Sequence, residues 1–464
     1  MALHIYDTLA RRTVPFEPVR PGEASMYVCG ATPQASPHIG HLRSSVAFDV
    51  LRRWLMANGY TVHHVVNVTD IDDKILANAA KENLPWFELS AKYEREFQWA
   101  YAVVGNLRPS IEPRATGHVT QMVDIIERLI SADLAYEAAG SVWFAVRKFA
   151  DYGRLSGQKI DEMLDATDPE QGKRDPLDFA LWKGAKPDEP GWPTPWGYGR
   201  PGWHIECSAM ATMYLGSTFD FHGGGRDLAF PHHENERAQS LGAGDGFARY
   251  WLHNAWVTTS GEKMSKSLGN SLWVKEIIKI YRPIELRYYL LAPHYRSNIE
   301  MSDLALEEAA TSFRRIESFV SRATELTGGV EPDATWPEPF IAALDDDLGT
   351  PAAVALMHEA VREGNKLIDA GDTAGVRDSL ASVRAMLAVL GLDPLDERWA
   401  VPADGTADAA LDRLVREVLE RREAARVDKQ WAVADAFRDS LAAAGVKVED
   451  TAQGQRWSLA KSDD

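Results

Sequence analysis

A segment near the start of the chain predicts a parallel crossover between two strands. The sequence "ASMYVCG" (24–30) alternates in polarity and ends in glycine, as a strand that enters a loop does. Apolar residues then recur at helical spacing in "HLRSSVAFDVLRRWLMANG" (41–59), which stops at a glycine. The stretch "YTVHHVVNVTDIDD" (60–73) opens with β-branched residues that favour a second strand. Strand, loop, helix and strand in this order predict a parallel α/β sheet of the nucleotide-binding type.

This pattern changes after about residue 120. Proline, glycine and tryptophan crowd residues 181–203, which predicts a packed irregular insertion and not a regular element. Sheet-like patterns resume at "STFDFHGGG" (217–225) and "YWLHNAWVTTSG" (250–261). From about residue 303 the periodicity is helical, and 391–408 is a candidate linker to a short final module.

Composition limits the class of protein. The 464 residues carry a net charge of −18, which argues against a general nucleic-acid coat protein but allows a partner that docks on a local basic patch. The chain lacks a run of about 18 apolar residues and an apolar secretory signal at its start, so we expect a cytoplasmic protein with no membrane partner. In that compartment a disulfide between Cys29 and Cys207 is the weaker interpretation, and inert thiols or metal ligands are the alternatives.

The string "PHIGHL" (37–42) lies where the first strand's loop meets the first helix. A helix start offers free N–H groups and a positive dipole end, which favour phosphate. Gly40 leaves room for a base or ribose, and His38 and His41 can donate hydrogen bonds to phosphate oxygens. The alternative is a pair of surface or capping histidines without a ligand.

The string "GEKMSKSLGNS" (261–271) places Lys263 and Lys266 in a loop rich in serine and glycine. Two ammonium groups there can close over a polyphosphate, since nucleotidyl transfer needs charge neutralisation and alignment more than a base. A solvated charged turn is the alternative.

The cysteines have candidate partners for a metal. "GWHIECSAM" (202–210) contains Cys207, and "FPHHENE" (230–236) places His232 and Glu236 four residues apart, on one face of a helix. Together with Cys29, these side chains make a plausible tetrahedral zinc shell. Only one of the pairs is local in sequence, so a purely structural zinc, or no metal, is the alternative.

The "HIGH" string near the start of the crossover and the later "KMSKS" string, in this order, resemble the motifs of class I aminoacyl-tRNA synthetases. The wider set of motifs resembles the bacterial cysteinyl-tRNA synthetase family over nearly the whole chain. The motifs are "YDTL", "MYVCG", "HIGH", "NVTDIDDKI", "RPGWHIECSAM", "FPHHENE", "WLHN", "EKMSKSLGN", "HYRS" and the closing "ADAFRDSLAAAGVKVEDTAQGQRW".

The resemblance implies a fold: a class I, Rossmann-like parallel-sheet catalytic domain with an insertion, then an α-helical bundle and a small C-terminal α+β module. The implied domains are residues 1–120 and 201–302 for the two catalytic halves, 121–200 for the connective insertion, 303–395 for the bundle and 409–464 for the tRNA anticodon-recognition module.

The resemblance also implies roles for individual residues. One zinc ion per chain would be bound by Cys29, Cys207, His232 and Glu236. ATP, accompanied by Mg²⁺, would be bound by His38, Gly40, His41 and Lys266, with Lys263 assisting. Thr69 and Trp203 would line the pocket for L-cysteine. The product would be cysteinyl-tRNA(Cys), made by a monomer.

For the terminal module, the same comparison implies a tRNA-docking surface. Arg421, Arg422 and Arg426 would contact phosphates, and Trp431 or Trp457 would stack on an unpaired base. A solvated helical face is the alternative.

Two features depart from the family pattern. Residues 31–36 lack the aromatic and acidic residues that the family usually has there, so contacts of that loop are not transferred. His41 stands where many members have asparagine.

Two other functions stay open at this point. The mycothiol-pathway cysteine ligase shares the catalytic half, but it transfers cysteine to a glucosaminyl-inositol amine and lacks both the acidic residue at position 236 and most of the tRNA-binding end. A non-catalytic, zinc-containing RNA-binding protein would bind RNA without cysteine-dependent ATP turnover.

Overall fold

The computed structural model describes residues 3–160, 172–259, 262–263, 273–333, 335–399, 406–451 and 454–459 of the chain. These residues belong to two compact units, 1–398 and 399–464.

The first unit begins with mixed strands and helices. In chain order they are β1 (His4–Asp7), β2 (Arg12–Pro15), β3 (Glu23–Val28), α1 (Ile39–Ala57), β4 (Thr61–Val66), α2 (Asp73–Glu82), α3 (Trp86–Val103), α4 (Val119–Ser131), β5 (Ala135–Ala138), β6 (Ser141–Phe144), β7 (Phe179–Gly184), β8 (Trp192–Thr194), β9 (Gly197–Pro201), α5 (Trp203–Leu215), β10 (Thr218–Gly225), α6 (Glu234–Gly242), β11 (Phe247–Asn254), β12 (Val257–Thr259), β13 (Glu262–Lys263), α7 (Val274–Ile277), α8 (Pro283–Leu291) and β14 (Ile299–Glu300).

The later part of the first unit is helical, as the sequence predicts. It contains α9 (Asp303–Thr327), α10 (Glu338–Asp345), α11 (Thr350–Asp369) and α12 (Thr373–Leu390). The second unit contains α13 (Thr406–Val427), α14 (Trp431–Ala443), β15 (Val446–Thr451) and β16 (Gly454–Leu459). Its core includes Val415, Leu419, Leu441 and Val446. The boundary between the units falls inside the candidate linker 391–408, of which 400–405 lie outside the described residues.

The parallel sheet has the strand order β11-β10-β3-β4. The expected crossover is confirmed, because α1 connects β3 to β4 and the two strands run parallel. The chain leaves β3 towards β4 on one side, whereas it leaves β10 towards β11 on the other. Open α/β sheets bind ligands at such a switch point, outside the carboxyl ends of the strands.

Helix α1 packs an apolar stripe against this sheet. Leu42, Val46 and Val50 recur at intervals of four and are fully or almost fully buried. Asn58 is the C-cap of the helix, and Gly59 then takes a left-handed φ of 85°. The apolar periodicity read from the sequence therefore sets which face of α1 meets the sheet.

The insertion corrects one expectation. Residues 181–203, predicted to be irregular, contain β9, β8 and part of β7 in a five-stranded antiparallel sheet of order β5-β6-β7-β9-β8. Pro193 lies in β8, the edge strand, where a missing N–H is tolerated. Gly199 is needed where β7 and β9 approach, because a Cβ there would lie 2.3 Å from the Lys183 carbonyl oxygen. The same residues that weaken an isolated strand are thus tolerated or required by this sheet.

Candidate active site

A cleft of about 370 Å³ opens at the switch point between β3 and β10. Its walls come from the loop after β3, the first turns of α1, the start of α5 and the ends of β10 and β11. They include Cys29, Gly40, His41, Trp203, Asp227 and Asn254. The "PHIGHL" motif and Cys29 of the proposed metal site therefore line the same cavity.

The four predicted metal ligands lie together beside this cleft. Cys29 follows β3, Cys207 lies on α5, His232 lies in the turn before α6, and Glu236 lies on α6. The two sulfur atoms are 3.8 Å apart, and Cys207 Sγ is 3.6 Å from His232 Nε2. Glu236 Oε1 is 3.1 Å from His232 Nε2 and 3.4 Å from Cys29 Sγ. Donor atoms from three separate parts of the chain thus converge on one point.

These distances fit a tetrahedral zinc ion. Bonds of about 2.3 Å to sulfur and about 2.0–2.1 Å to nitrogen or oxygen place two sulfur ligands about 3.8 Å apart and a nitrogen and an oxygen about 3.3 Å apart. The separations of 3.8 Å and 3.1 Å in the cluster agree with this geometry. Two thiols, one imidazole and one carboxylate are also a donor set that zinc accepts.

Burial disfavours the charged forms of the two thiols and the imidazole when no cation is bound. It raises the pKa of the Cys207 thiol to about 11 and raises that of Cys29 well above its usual value. Burial also lowers the pKa of His232 well below its usual value, so the imidazole is neutral and can offer a lone pair. A bound divalent cation would offset the cost of holding two thiolates and a carboxylate away from water.

The sequence analysis did not identify two further histidines at this site. His222, on β10, and His233 form a second group with Cys29 and Glu236 whose donor atoms lie within 4.8 Å of one another. His222 Nε2 is 3.2 Å from Glu236 Oε2, and His233 Nδ1 is 2.8 Å from His253 Nε2. All three imidazoles are buried. His222 and His253 each lie singly in a strand, where a histidine resembles a core residue, and His233 adjoins the predicted ligand His232.

The "PHIGHL" motif forms the start of α1 with both histidines as caps. His38 is the N-cap, and its Nδ1 accepts a hydrogen bond from the Gly40 N–H at 3.2 Å. The Nδ1 atom of His41 accepts one from the His38 N–H at 3.1 Å, and the two rings lie 3.8 Å apart. The imidazoles are therefore fixed over the positive end of the helix, where they line the cleft.

The two predicted substrate-pocket residues lie in different surroundings. Trp203 lines the cleft and stacks on His232, with ring centroids 4.1 Å apart. Thr69 is buried, and its hydroxyl bonds both Asn67 Nδ2 and Glu206. Asn67 Oδ1 in turn accepts a hydrogen bond from the Gly30 N–H at 2.8 Å. Trp203 can meet a ligand directly, whereas Thr69 connects to the cleft through Asn67.

The lysines of the "GEKMSKSLGNS" loop are only partly covered by the structure. Lys263 belongs to β13 and pairs with Thr258, but its side chain and the whole of Lys266 lie outside the described residues. Their roles stay predictions.

The second unit corrects one expected RNA contact. Arg422 is buried, so it is not available to a phosphate. Arg421 and Arg426 lie on the surface in ion pairs with Glu417 and Glu423. Trp431 is 60% exposed and can stack on a base, whereas Trp457 donates its indole N–H to Asp412.

Three known protein-family models match successive parts of the chain. Residues 15–311 match the catalytic-domain model described as tRNA synthetases class I (C), residues 339–394 match the DALR domain, and residues 408–457 match the cysteinyl-tRNA ligase anticodon-binding domain. None of the described helices has the length and apolar composition needed to cross a membrane.

Curated relatives and solved structures agree with these matches. A cysteine–tRNA ligase of Streptomyces avermitilis is 57% identical over 463 residues, covering 99% of each chain. One of Streptomyces coelicolor is 56% identical, covering 99% of this chain and 76% of the relative. A Mycobacterium tuberculosis methionyl-tRNA synthetase in complex with methionyl-adenylate matches 80% of this chain and 90% of its own, with a TM-score of 0.57 and 15% identity. The class I synthetase fold, expected from the sequence, is confirmed.

Proposed function

The chain belongs to the cysteinyl-tRNA ligase family, and we propose that it activates L-cysteine with ATP and transfers it to tRNA(Cys). The observation that carries this proposal is the meeting of two motifs at one cleft. The four-donor cluster and the start of α1 share the backbone segment that follows β3, so a ligand bound by one lies near the other.

The reaction begins with attack of the cysteine carboxylate on the α-phosphate of ATP, which forms cysteinyl-adenylate and releases pyrophosphate. The start of α1 and the imidazoles of His38 and His41 bind phosphate oxygens, and Gly40 lets the nucleoside approach the backbone. Lys266, assisted by Lys263, neutralises charge on the departing pyrophosphate, and Mg²⁺ accompanies ATP. The terminal ribose hydroxyl of the tRNA then attacks the activated carbonyl and displaces AMP.

The metal cluster selects the amino acid. Zinc held by Cys29, Cys207, His232 and Glu236 would favour the thiolate of cysteine over the protonated hydroxyl of serine. A pocket that reads shape alone separates such close analogues poorly. Trp203 covers the cluster from the cleft side, where it can exclude water and hold the substrate against the donors.

The terminal module binds the tRNA through its exposed surface. Arg421 and Arg426 contact phosphates, and Trp431 stacks on an unpaired base. Because the chain carries a net charge of −18, this binding depends on a local field and weakens strongly with salt. We assign the protein to the cytoplasm, where its two thiols stay reduced, and expect a monomer.

The test is transfer of labelled cysteine to unfractionated tRNA by the purified protein with ATP and Mg²⁺, with labelled serine in parallel. We expect charging with cysteine and none with serine. Metal analysis of the same preparation should give one zinc ion per chain. Charging with serine at a comparable rate would refute selection by the metal.

The alternative function, a cysteine ligase with an amine acceptor, is not favoured. Ligases of that type lack the acidic residue at position 236 and most of the tRNA-binding end, whereas this chain has Glu236 and a match to the anticodon-binding domain. Cysteine-dependent pyrophosphate exchange without charging of tRNA would reverse that choice. RNA binding without such exchange would support the non-catalytic alternative.

A further inference from the structure

Arg43 is a buried cation whose described partners are all backbone carbonyls. It lies in the second turn of α1, and only 2% of its surface is exposed. Nη1 donates to Leu290 and, at 3.2 Å, to Pro293. Nη2 donates to His294 at 2.5 Å and to Ser297 at 3.2 Å. Both terminal nitrogens of a side chain that costs much to bury thus donate to one short segment.

That segment is the carboxyl end of α8 and the turn that follows it. The last carbonyls of a helix lack intrahelical donors and carry the negative end of its dipole. Arg43 supplies both hydrogen-bond donors and positive charge to this end. It therefore joins α1, whose start lines the cleft, to α8.

A second connection joins the same two parts of the chain. The backbone of His38 bridges to that of Trp273, and the Val274 N–H donates to the Pro37 carbonyl at 3.2 Å. Trp273 is the first described residue after the stretch that contains Lys266. The segment 273–297 is consequently attached near the beginning of α1 at both of its ends.

The turn after α8 also supports the opposite wall of the cleft. The Ala255 N–H donates to the Tyr295 carbonyl at 2.8 Å, and the Trp256 N–H donates to Asn298 Oδ1 at 3.2 Å. Ala255 and Trp256 both line the cleft. Arg43 thus holds α1 against a turn that is itself bonded to the facing wall, and this fixes the distance between the two walls.

We propose that Arg43 is a positioning residue for ATP. Its guanidinium sets the start of α1, with His38 and His41, against the wall that contains Ala255 and against Trp273. Arg43 touches no reacting atom, and its effect falls on adenylate formation and not on the zinc cluster. This inference rests on the proposed synthetase activity.

The experiment compares variants of Arg43 in cysteine-dependent ATP–pyrophosphate exchange. Arg43→Met keeps an unbranched side chain of similar length but removes the donors. We expect kcat for exchange to fall by roughly ten- to a hundredfold, as misplacement by about 1 Å does. The zinc content and the affinity for cysteine should stay within about twofold of the wild-type values, since the metal donors do not contact Arg43.

Arg384→Met is the matched control. Arg384 is also largely buried, on α12, and it binds Asp393 and the Val330 carbonyl far along the chain from the cleft residues. Its loss should lower the melting temperature but leave kcat for exchange within about twofold of wild type. Equal losses of kcat in the two variants, in step with equal losses of folded protein, would show that Arg43 is merely structural.

Two further variants keep the inference testable if Arg43→Met does not fold. Arg43→Lys keeps one charge but has three donors in a different geometry, so we expect kcat to fall by at least about threefold at unchanged cysteine affinity. Millimolar guanidinium should restore part of the exchange activity of Arg43→Ala and none of that of an Arg384→Ala control. An unchanged kcat in folded Arg43→Lys or Arg43→Met would overturn the proposal. Failure of the wild-type protein to catalyse exchange would instead refute the proposed function.

Discussion

Replacement of Asp49 by asparagine should destabilise the first unit by a measurable amount. Asp49 lies on α1 and accepts hydrogen bonds from Arg53 at 2.7 Å, from Arg287 at 2.5 Å and from the Leu107 N–H at 2.8 Å. The side chains of Asp49, Arg53 and Arg287 are 3%, 7% and 0% exposed. Asp49→Asn keeps the shape but removes the negative charge that pairs with two buried guanidinium groups.

The magnitude follows from burial. Breaking a buried ion pair by removing one partner costs about 3–5 kcal/mol, and the retained amide oxygen places this case near about 3 kcal/mol. Unfolding entropies of about 2.1 cal/mol/K per residue give roughly 0.8 kcal/mol/K for the 398 residues of this unit. The melting temperature should therefore fall by about 4 °C.

The effect should also depend on pH with a defined sign. Burial tends to raise the pKa of Asp49, but Arg287 and Arg53 outweigh it and hold the pKa below the usual 3.8. A carboxylate with a depressed folded-state pKa stabilises the protein above its unfolded-state pKa, and this stabilisation is lost as the pH falls through the folded-state value. The difference in melting temperature between wild type and Asp49→Asn should thus be complete at pH 7 and shrink below about pH 4.

Differential scanning calorimetry of the two proteins at several pH values measures both effects. Glu359→Gln is the control, because Glu359 and Arg362 form an exposed pair on α11 at 3.8 Å. A shift for Asp49→Asn no larger than that of the control would refute the argument from burial. A difference that grew below pH 4 would refute the assigned sign.

Three further outcomes test the site. Cys207→Ser should lower zinc affinity by more than about a hundredfold, the upper end for losing a residue that only contacts a ligand, and should abolish cysteine activation. Met213→Ala, at an exposed position of the same helix, should keep both, as metal analysis and exchange assays will show. Retained zinc in Cys207→Ser would remove that residue from the ligand set. Lys266→Ala should slow single-turnover adenylate formation more than it weakens cysteine binding, and an unchanged rate would show that the loop is not catalytic. Deletion of residues 409–464 should raise KM for tRNA and leave pyrophosphate exchange largely intact, whereas equal loss of exchange would make the module structural.

Local patterns predicted the parallel crossover because its two strands and helix are adjacent in the chain. The apolar spacing in residues 41–59 and the β-branched run at 60–66 each specify an element without help from distant residues. The antiparallel sheet of the insertion depends instead on pairing between residues that are distant in the sequence. β6 pairs with β7 across about 40 residues, and the glycines and prolines of 181–203 suit strands only once those partners are in place.

Spacing in the sequence predicts the proposed metal site only in part. His232 and Glu236 form a local pair, but nothing in residues 24–30 alone shows that Cys29 meets Cys207. That contact arises because Cys29 follows β3, which pairs with β10, and α5 leads directly into β10. The resemblance to a known family supplied the full ligand set, whose donor atoms lie close enough together to hold a metal ion. The sequence did not predict that His222 lies at this site, because a buried histidine within a strand carries no local signal of its role.

One glycine lies at the junction of the proposed zinc cluster and the proposed ATP site. Gly30 follows the proposed ligand Cys29, and a Cβ at this position would lie 1.8 Å from the Asn67 carbonyl oxygen. Asn67 also accepts the Gly30 N–H and donates to Thr69, so the ends of β3 and β4 are tied together at this point. Any side chain at position 30 would push these strand ends apart and move Cys29 away from the other three proposed ligands. The backbone there must therefore stay bare for the metal cluster and the cleft to share one wall, which explains why the strand pattern at 24–30 ends in glycine directly after a cysteine.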